Sequence, residues 1–309
     1  MDLNTDLANR VAIVTGSSRN IGRAIAMTLA RAGSAVVVNA LQDATAAEGV
    51  AQEIRTSGGR AIAKLADVRE PEQVRALVAA AVDAFGGLDI LVNNAAVRHE
   101  SKLATLSYED YRTIVATILD GAFLLSQAAM PHLIRSDCAS IINIGGMTAH
   151  VGAPNRVPLL TAKIGLIGMT RALAHDLAPH GVTVNCVVPG LMNTVRGRSA
   201  TVSLHSEGRP PPIGRRGSPD DIAAMVHYLC SPGARYVMRR IAFDRDAITL
   251  SPPEARRLVS QAGFEPLRTD FLFIFPRALR WLRPLERLAR KLPIGAQYLV
   301  LGRKAGPRV

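Results

Sequence analysis

Brief apolar runs alternate with amphipathic segments of helical length over the first two-thirds of the chain. The runs are Val11–Val14, Ala35–Val38, Ile90–Val92, Ile141–Ile142 and Val182–Val184. A short, continuously apolar run reads as a strand covered on both faces. Between the runs, Ile21–Ala32, Thr45–Ser57, Glu72–Phe85, Tyr108–Ile134 and Leu160–Pro179 carry helical spacing of apolar positions. Strand and helix in strict alternation predict a doubly wound α/β domain with a parallel sheet, and its ligand belongs at the carboxyl ends of the strands.

The pattern changes near residue 208. Gly208–Gly217 is a Pro/Arg-rich loop, and Ser218-Pro219 then supplies an N-cap and a first helical residue. Beyond Tyr236-Val237 the segments read as a capped helix over Ser251–Phe264, closed at Gly263, and a strand over Pro266–Phe275. A basic helix over Arg277–Leu292, interrupted at Pro284, and a last strand over Ala296–Leu301 follow. The reading is one domain over 1–238 with an α/β extension over 239–309, which a 309-residue chain has room for.

Charge divides the same way. Of 37 Lys/Arg and 25 Asp/Glu, 15 basic but only 6 acidic residues lie in 239–309, so most of the net +12 belongs to the extension. The basic helix carries Arg277, Arg280, Arg283, Arg287, Arg290 and Lys291 around Leu279, Trp281, Leu282, Leu285 and Leu288. Such a helix could lie on an anionic membrane, but packing on its own domain is the favoured reading, and membrane contact is not expected. No nucleic-acid motif accompanies the charge, so no nucleic-acid partner is expected. Cys138, Cys186 and Cys230 are scattered and odd in number, which points to neither a disulfide framework nor a metal site and fits a reducing cytoplasm. The N-terminus shows no apolar signal region, and no run of about 18 apolar residues occurs.

Candidate chemistry begins at Thr15-Gly16-Ser17-Ser18-Arg19-Asn20-Ile21-Gly22, between the first strand and the first helix. Glycines there permit a tight turn and close approach of backbone to a pyrophosphate, which the helix N-terminus then holds. Further segments follow in order: Asp67-Val68, Asn93-Asn94-Ala95-Ala96, Lys163, Asn185–Gly190 (NCVVPG) and Thr194. Together these resemble the short-chain dehydrogenase/reductase family over about residues 7–237, which implies a Rossmann fold and a nicotinamide cofactor. The resemblance implies a cofactor site of Gly16, Ser18, Arg19, Ile21, Gly22, Asp67, Val68, Asn93, Ala95, Lys163, Pro189, Gly190 and Thr194. Asp67 would meet the adenine, Lys163 the nicotinamide ribose and Thr194 the carboxamide. NAD-specific sites place an acid at the end of the second strand. Here Asn39-Ala40-Leu41 offers none before Asp43, and Arg19 suits a 2′-phosphate, so NADP(H) is favoured over NAD(H).

The catalytic positions depart from the family. Its Tyr-x-x-x-Lys retains Lys163, but the Tyr position is Leu159, the Ser position is Gly146 and the Asn position is Ile118. Leucine neither gives nor takes a proton, and general acid catalysis typically contributes a factor of about 10²–10⁴. Asp120, His150, Arg156, Thr148, Thr161 and His99 lie nearby in sequence, with His150 the best substitute because imidazole titrates near neutrality. Three functions fit: an NADP(H)-dependent oxidoreductase with a modified proton donor, a catalytically inactive cofactor-binding sensor or subunit, and a fusion whose extension supplies an interaction surface. The two long helices, with Leu124, Leu125, Ala128, Ala129 on one and Leu166, Met169, Leu173, Leu177 on the other, resemble those that the family pairs between subunits, so a dimer or larger homo-oligomer is expected. The extension, over about 243–304, resembles the C-terminal end of class I SAM-dependent methyltransferases. It carries Glu254-Ala-Arg-Arg-Leu258, Ala262-Gly-Phe264 and Gln297–Val300, without the glycine-rich loop that holds SAM.

Overall fold

A computed structural model describes residues 5–194 and 214–234, and the backbone of 264–272 and 297–304. The first apolar run forms β1 (Val11–Val14), and a turn leads into α1 (Asn20–Arg31). β2 (Ala35–Ala40), α2 (Ala44–Thr56), β3 (Arg60–Leu65), α3 (Pro71–Phe85) and β4 (Ile90–Asn93) follow. The chain continues through α4 (Tyr108–Val115), a single π-helical turn at Ala116–Asp120, α5 (Gly121–Leu133) and β5 (Ser140–Ile144). Then come the one-turn α6 (Thr148–Val151), α7 (Val157–Leu177), β6 (Thr183–Val187) and α8 (Pro219–Cys230).

Six strands form one parallel sheet in the order β3-β2-β1-β4-β5-β6. The order reverses between β1 and β4, and a ligand crevice opens at such a switch point, outside the strands' carboxyl ends. Alternate side chains explain the continuous apolar runs. Ala12, Val14, Val36, Val38, Ile142 and Ile144 enter a core with α1, α2 and α8. Val11, Ile13, Ala35, Val37 and Ile141 enter the opposite core with α3, α5 and the end of α7.

The alternation of apolar runs leaves out β3, which the structure adds. Arg60–Leu65 has exposed ends and a half-buried middle, as an edge strand does, and so lacks the apolar run that marks the central strands. The helix read over Tyr108–Ile134 is interrupted by the π turn. The apolar stripes expected at a subunit interface face inward instead. Leu125 and Ala129 are buried in the core with α3, with Leu124, Ala128 and Leu173 against it, while Leu166 is buried in a third cluster. Outward on the same helices lie Phe123, Met130 and Ile164. Two helical stretches, Tyr108–Leu133 and Val157–His180, are long and apolar enough to cross a bilayer by length and composition, but both contribute buried residues to the domain's cores.

The chain divides into two compact units, Met1–Phe243 and Asp244–Val309. In the second, β7 (Phe264–Leu272) and β8 (Gln297–Lys304) pair antiparallel, with a shift of register between Pro266 and Arg268. The helices expected at Ser251–Phe264 and Arg277–Leu292 lie outside the described residues, Phe264 excepted; so does most of the loop over Gly208–Gly217.

Candidate active site

The turn after β1 is held by hydrogen bonds that the sequence hardly signals. Gly16 adopts φ +58°, a left-handed conformation suited to glycine. A Cβ on Gly22 would stand 2.3 Å from the Gly16 carbonyl oxygen, so the second glycine is fixed by packing. Asn94 donates from Nδ2 to the carbonyls of Thr15 (2.8 Å) and Gly16 (3.0 Å), and Thr15 Oγ1 accepts from the Asn94 and Ala95 amides, both at 3.0 Å. β4 is thereby tied to the turn. Buried Asn39 accepts from the Gly16 amide at 3.2 Å and donates to the Lys64 and Ala66 carbonyls, each at 3.2 Å, which ties β2 and β3 to it as well.

The N-terminus of α1 fits an anion. Its cap residue, Arg19, makes no side-chain capping bond, and no acidic residue stands in the first turn. The leading N–H groups of a helix have no intrahelical partners, and such an N-terminus favours an anion. Arg19 is exposed beside it. Asp43, the first acid after β2, is occupied as the N-cap of α2, accepting from the Ala46 amide at 2.9 Å. Asp67 follows β3, and its carboxylate is gripped by Arg69 through Nε (3.0 Å) and Nη2 (2.6 Å). Hydrogen bonding from Arg69 holds the Asp67 carboxyl below the usual carboxylate range. Pro189 and Gly190 follow β6, where the Pro189 carbonyl accepts from the Met147 amide at 2.9 Å.

The residues read for the cofactor site thus follow the carboxyl ends of several strands across the sheet. Ser18, Arg19, Ile21 and Gly22 lie on the first turn and helix, Asp67 and Val68 after β3, Asn93 and Ala95 at β4, and Pro189, Gly190 and Thr194 after β6. Thr15, Val68, Asn93, Ala95, Ile118 and Gly121 line a narrow cleft of about 150 Å³, too tight in this structure for a water-sized sphere. Asn93 and Asn143 are register partners on β4 and β5, and Asn93 Nδ2 donates to Asn143 Oδ1 at 2.9 Å. Asn143 Nδ2 donates in turn to Thr170 Oγ1 on α7, also at 2.9 Å. Asn93 Oδ1 is buried on the cleft with no partner among the described residues.

Lys163 stands at the centre of the candidate catalytic positions. It is buried on α7, and its Nζ donates to the Ile144 carbonyl at the end of β5. Burial, with Arg98 repelling it, pushes the amine down to about 7, and nearby Cys186 opposes that shift. Burial raises the Cys186 thiol in turn, against the pull of Lys163. Leu159 lies one turn earlier on α7. It is buried with Ile114, Val115, Ile118, Ala122, Ala162 and Leu166 in a single apolar cluster. A Cβ on Gly146 would meet no heavy atom within 4 Å, so open space lies beside the strand end that holds Lys163.

Two of the other candidate proton donors are held in ion pairs, and the rest are exposed or half-buried. Arg156 is bound to Glu100 (Nε–Oε1 2.9 Å), and with the Ser101 amide on the Asn155 carbonyl (3.0 Å) it fastens the loop after β4 to the start of α7. Asp120 pairs with Arg112 at 3.3 Å. His99, His150 and Thr161 are exposed, and Thr148 is half-buried on α6. Sequence reasoning missed Asn39, Arg98, Asn143 and Thr170. Asn39 and Asn143 do interrupt apolar strand runs, a signal of a buried polar group with a fixed partner.

Known proteins agree with this architecture. A sequence profile of the family described as enoyl-(acyl carrier protein) reductase matches residues 16–242. The 3-oxoacyl-[acyl-carrier-protein] reductase of Synechocystis is 37% identical over 236 residues, covering 75% of this chain and 94% of its own. A dehydrogenase/reductase from Sinorhizobium meliloti superposes with a TM-score of 0.71 at 37% identity, over 77% of this chain and 94% of that one. A short-chain dehydrogenase from Burkholderia cenocepacia, solved in complex with NADP, does so with a TM-score of 0.70 at 36% identity, over 75% and 94%. The chain belongs to the short-chain dehydrogenase/reductase family of oxidoreductases. Its first unit carries the family's Rossmann-like sheet and nicotinamide-cofactor fold.

Proposed function

We propose that the protein binds NADP(H) in preference to NAD(H), and that its active site has given up the family's proton donor while keeping the cofactor platform. The observation that carries this reading is that Leu159 and Ile118, at the Tyr and Asn positions, are buried together in one apolar cluster beside Lys163. The bound cofactor would supply hydride chemistry. The chain's own part is to hold it: the first turn of α1 and Arg19 take the phosphates, Asp67 and Val68 the adenine, and Lys163 the nicotinamide ribose. Asn93, Ala95, Pro189, Gly190 and Thr194 frame the rest. With Gly146 and Leu159 unable to orient a carbonyl or protonate its oxygen, simple ketones turn over slowly. The second reading, a cofactor-binding sensor or subunit without turnover, is favoured by the same cluster. The outward Phe123, Met130 and Ile164 support a homo-oligomer paired through α5 and α7, and 239–309 is a separate extension to the cofactor domain.

Calorimetric titration with NADPH and then NADH tests the cofactor reading. A phosphate held by charge-assisted bonds is worth about 1.5–3 kcal/mol, so NADPH is expected to bind roughly 10- to 150-fold more tightly. Equal affinities, or a preference for NADH, overturn it. An assay of ketones and a 3-oxoacyl thioester on the same preparation tests the second part. Turnover within the common enzyme range of about 1–10³ s⁻¹ shows that another group supplies the proton.

A further inference from the structure

We propose that Arg69 sets the base selectivity of the cofactor site: by masking Asp67, it leaves the site nearly indifferent to an amino or a keto group on the purine. The proposal rests on the reading above, which puts the base beside Asp67 and Val68, and goes beyond it in giving Arg69 a role. The backbone supplies the placement. The Ala66 carbonyl accepts from Asn39 Nδ2 at 3.2 Å, and Asn39 Oδ1 accepts from the Gly16 amide at 3.2 Å. The residue before Asp67 is therefore two hydrogen bonds from the glycine turn. Val68, the residue after it, lines the narrow cleft with Thr15, Asn93 and Ala95.

The Asp67 carboxylate is already committed. Its Oδ1 accepts from the Arg69 amide at 2.9 Å and from Arg69 Nε at 3.0 Å. Its Oδ2 accepts from Arg69 Nη2 at 2.6 Å and from Nε at 3.1 Å. A carboxylate offers about four lone-pair sites, so these contacts take most of its capacity. The turn beneath it is fixed as well: the Asp67 amide donates to Gln73 Oε1 at 2.8 Å, and its carbonyl accepts from the Glu70 amide at 3.1 Å. The Asp67 side chain is 13% exposed, so the guanidinium fork, not water, is its main partner. Adenine presents an amino donor at C6, whereas hypoxanthine presents a keto acceptor there. A bare carboxylate accepts from the first and repels the second. Clamped by a guanidinium, it carries little net charge, and the N–H groups of Arg69 outside the fork can donate to a keto oxygen. Selectivity comes from leaving polar groups unpaired with the wrong ligand, and here neither base does so.

The test titrates the full-length protein with NADPH and with its hypoxanthine analogue, in which a keto group replaces the adenine amino group. Both carry the same reduced nicotinamide, whose fluorescence reports binding. The unaltered chain is expected to bind the two within about threefold. Arg69→Met removes the fork and bares the carboxylate, and is expected to bring out a preference for NADPH of about tenfold or more, as a charge-assisted bond is gained with one base and lost with the other. Adding Asp67→Asn to that variant is expected to abolish the preference. A merely structural role for Arg69 would weaken both nucleotides alike and leave their ratio unmoved. A ratio above about threefold in the unaltered chain overturns the proposal, and that comparison needs no variant. A folded Arg69→Met protein whose ratio stays within threefold overturns it as well. Binding of neither nucleotide by the unaltered chain overturns the cofactor reading itself, a different result from binding both with strong discrimination.

Discussion

Lys163 and Leu159 share one face of α7, and the exchange of a hydroxyl for an isobutyl group there changes the lysine's balance. The family's Tyr offers the amine a polar neighbour; Leu159 offers none and joins a cluster that excludes water. Folding takes an amine with an ordinary value near 10.5 and lowers it to about 7. Between those values the unfolded chain holds a proton that the folded chain has lost, so stability rises with pH across that window. Below pH 7 both states are protonated and the full cost of burying the ammonium is felt; above about 10.5 it vanishes. The slope from this group is at most about 1.4 kcal/mol per pH unit. Urea melts of the cofactor-free protein at pH 6, 7, 8 and 9 are therefore expected to show a rising midpoint from 7 to 9 that Lys163→Met flattens. Gly146→Ser meets open space and is expected to shift stability by no more than about 0.5 kcal/mol, as at an ordinary surface site. Leu159→Ala opens the cluster and is expected to cost about 2–5 kcal/mol. The contrast separates a position merely vacated from one rebuilt as core.

At the scale of elements, the central strands were legible because both their faces are covered, so β1, β2, β4 and β5 announce themselves as apolar runs. β3 was not, because its outer edge pairs with nothing in the sheet and its side chains need not be apolar. The glycine turn was legible for its steric demands at Gly16 and Gly22, but its hydrogen bonds through Asn39 and Asn94 join strands distant in sequence and leave no local pattern. The same holds for Asn93, Asn143 and Thr170, which meet only because β4, β5 and α7 are neighbours in space. The π turn carrying Ile118 also has no periodic signature. Such turns recur at functional sites, and this one carries the buried, apolar Ile118. The start of α8 was legible, though not its end at Cys230: Ser218 caps it, and the Ser218 amide donates to Asp221 at 2.7 Å while the Asp221 amide donates back to Ser218 Oγ at 3.3 Å. α8 packs Ile222, Ala223 and Val226 into the core with α1. Ser218→Ala is expected to lower stability by about 1 kcal/mol. Thermal melts of the two proteins check it, and an unchanged midpoint would show that the box contributes nothing.

For the whole molecule, the unsettled surface is the outward side of α5 and α7. A helix with one apolar stripe buries it and leaves charge outside. These two bury Leu125, Ala129, Leu133 and Leu166, yet still present Phe123, Met130 and Ile164 about half exposed. Isolated exposed apolar residues need no explanation, but three large ones on two core helices are apolar surface that a second copy could cover. A second copy is the partner that offers the same surface in return, and two-fold pairing is the commonest closed symmetry. The protein is therefore expected to be at least a dimer at micromolar concentration by light scattering. Phe123→Glu and Ile164→Arg together alter no fully buried position. They are expected to yield a folded monomer whose NADPH affinity is within about twofold of the parent, because none of the proposed cofactor residues lies on that side. A parent that scatters as a monomer overturns the expectation. So does a double variant that keeps the parent's mass, since the subunits would then meet through some other surface.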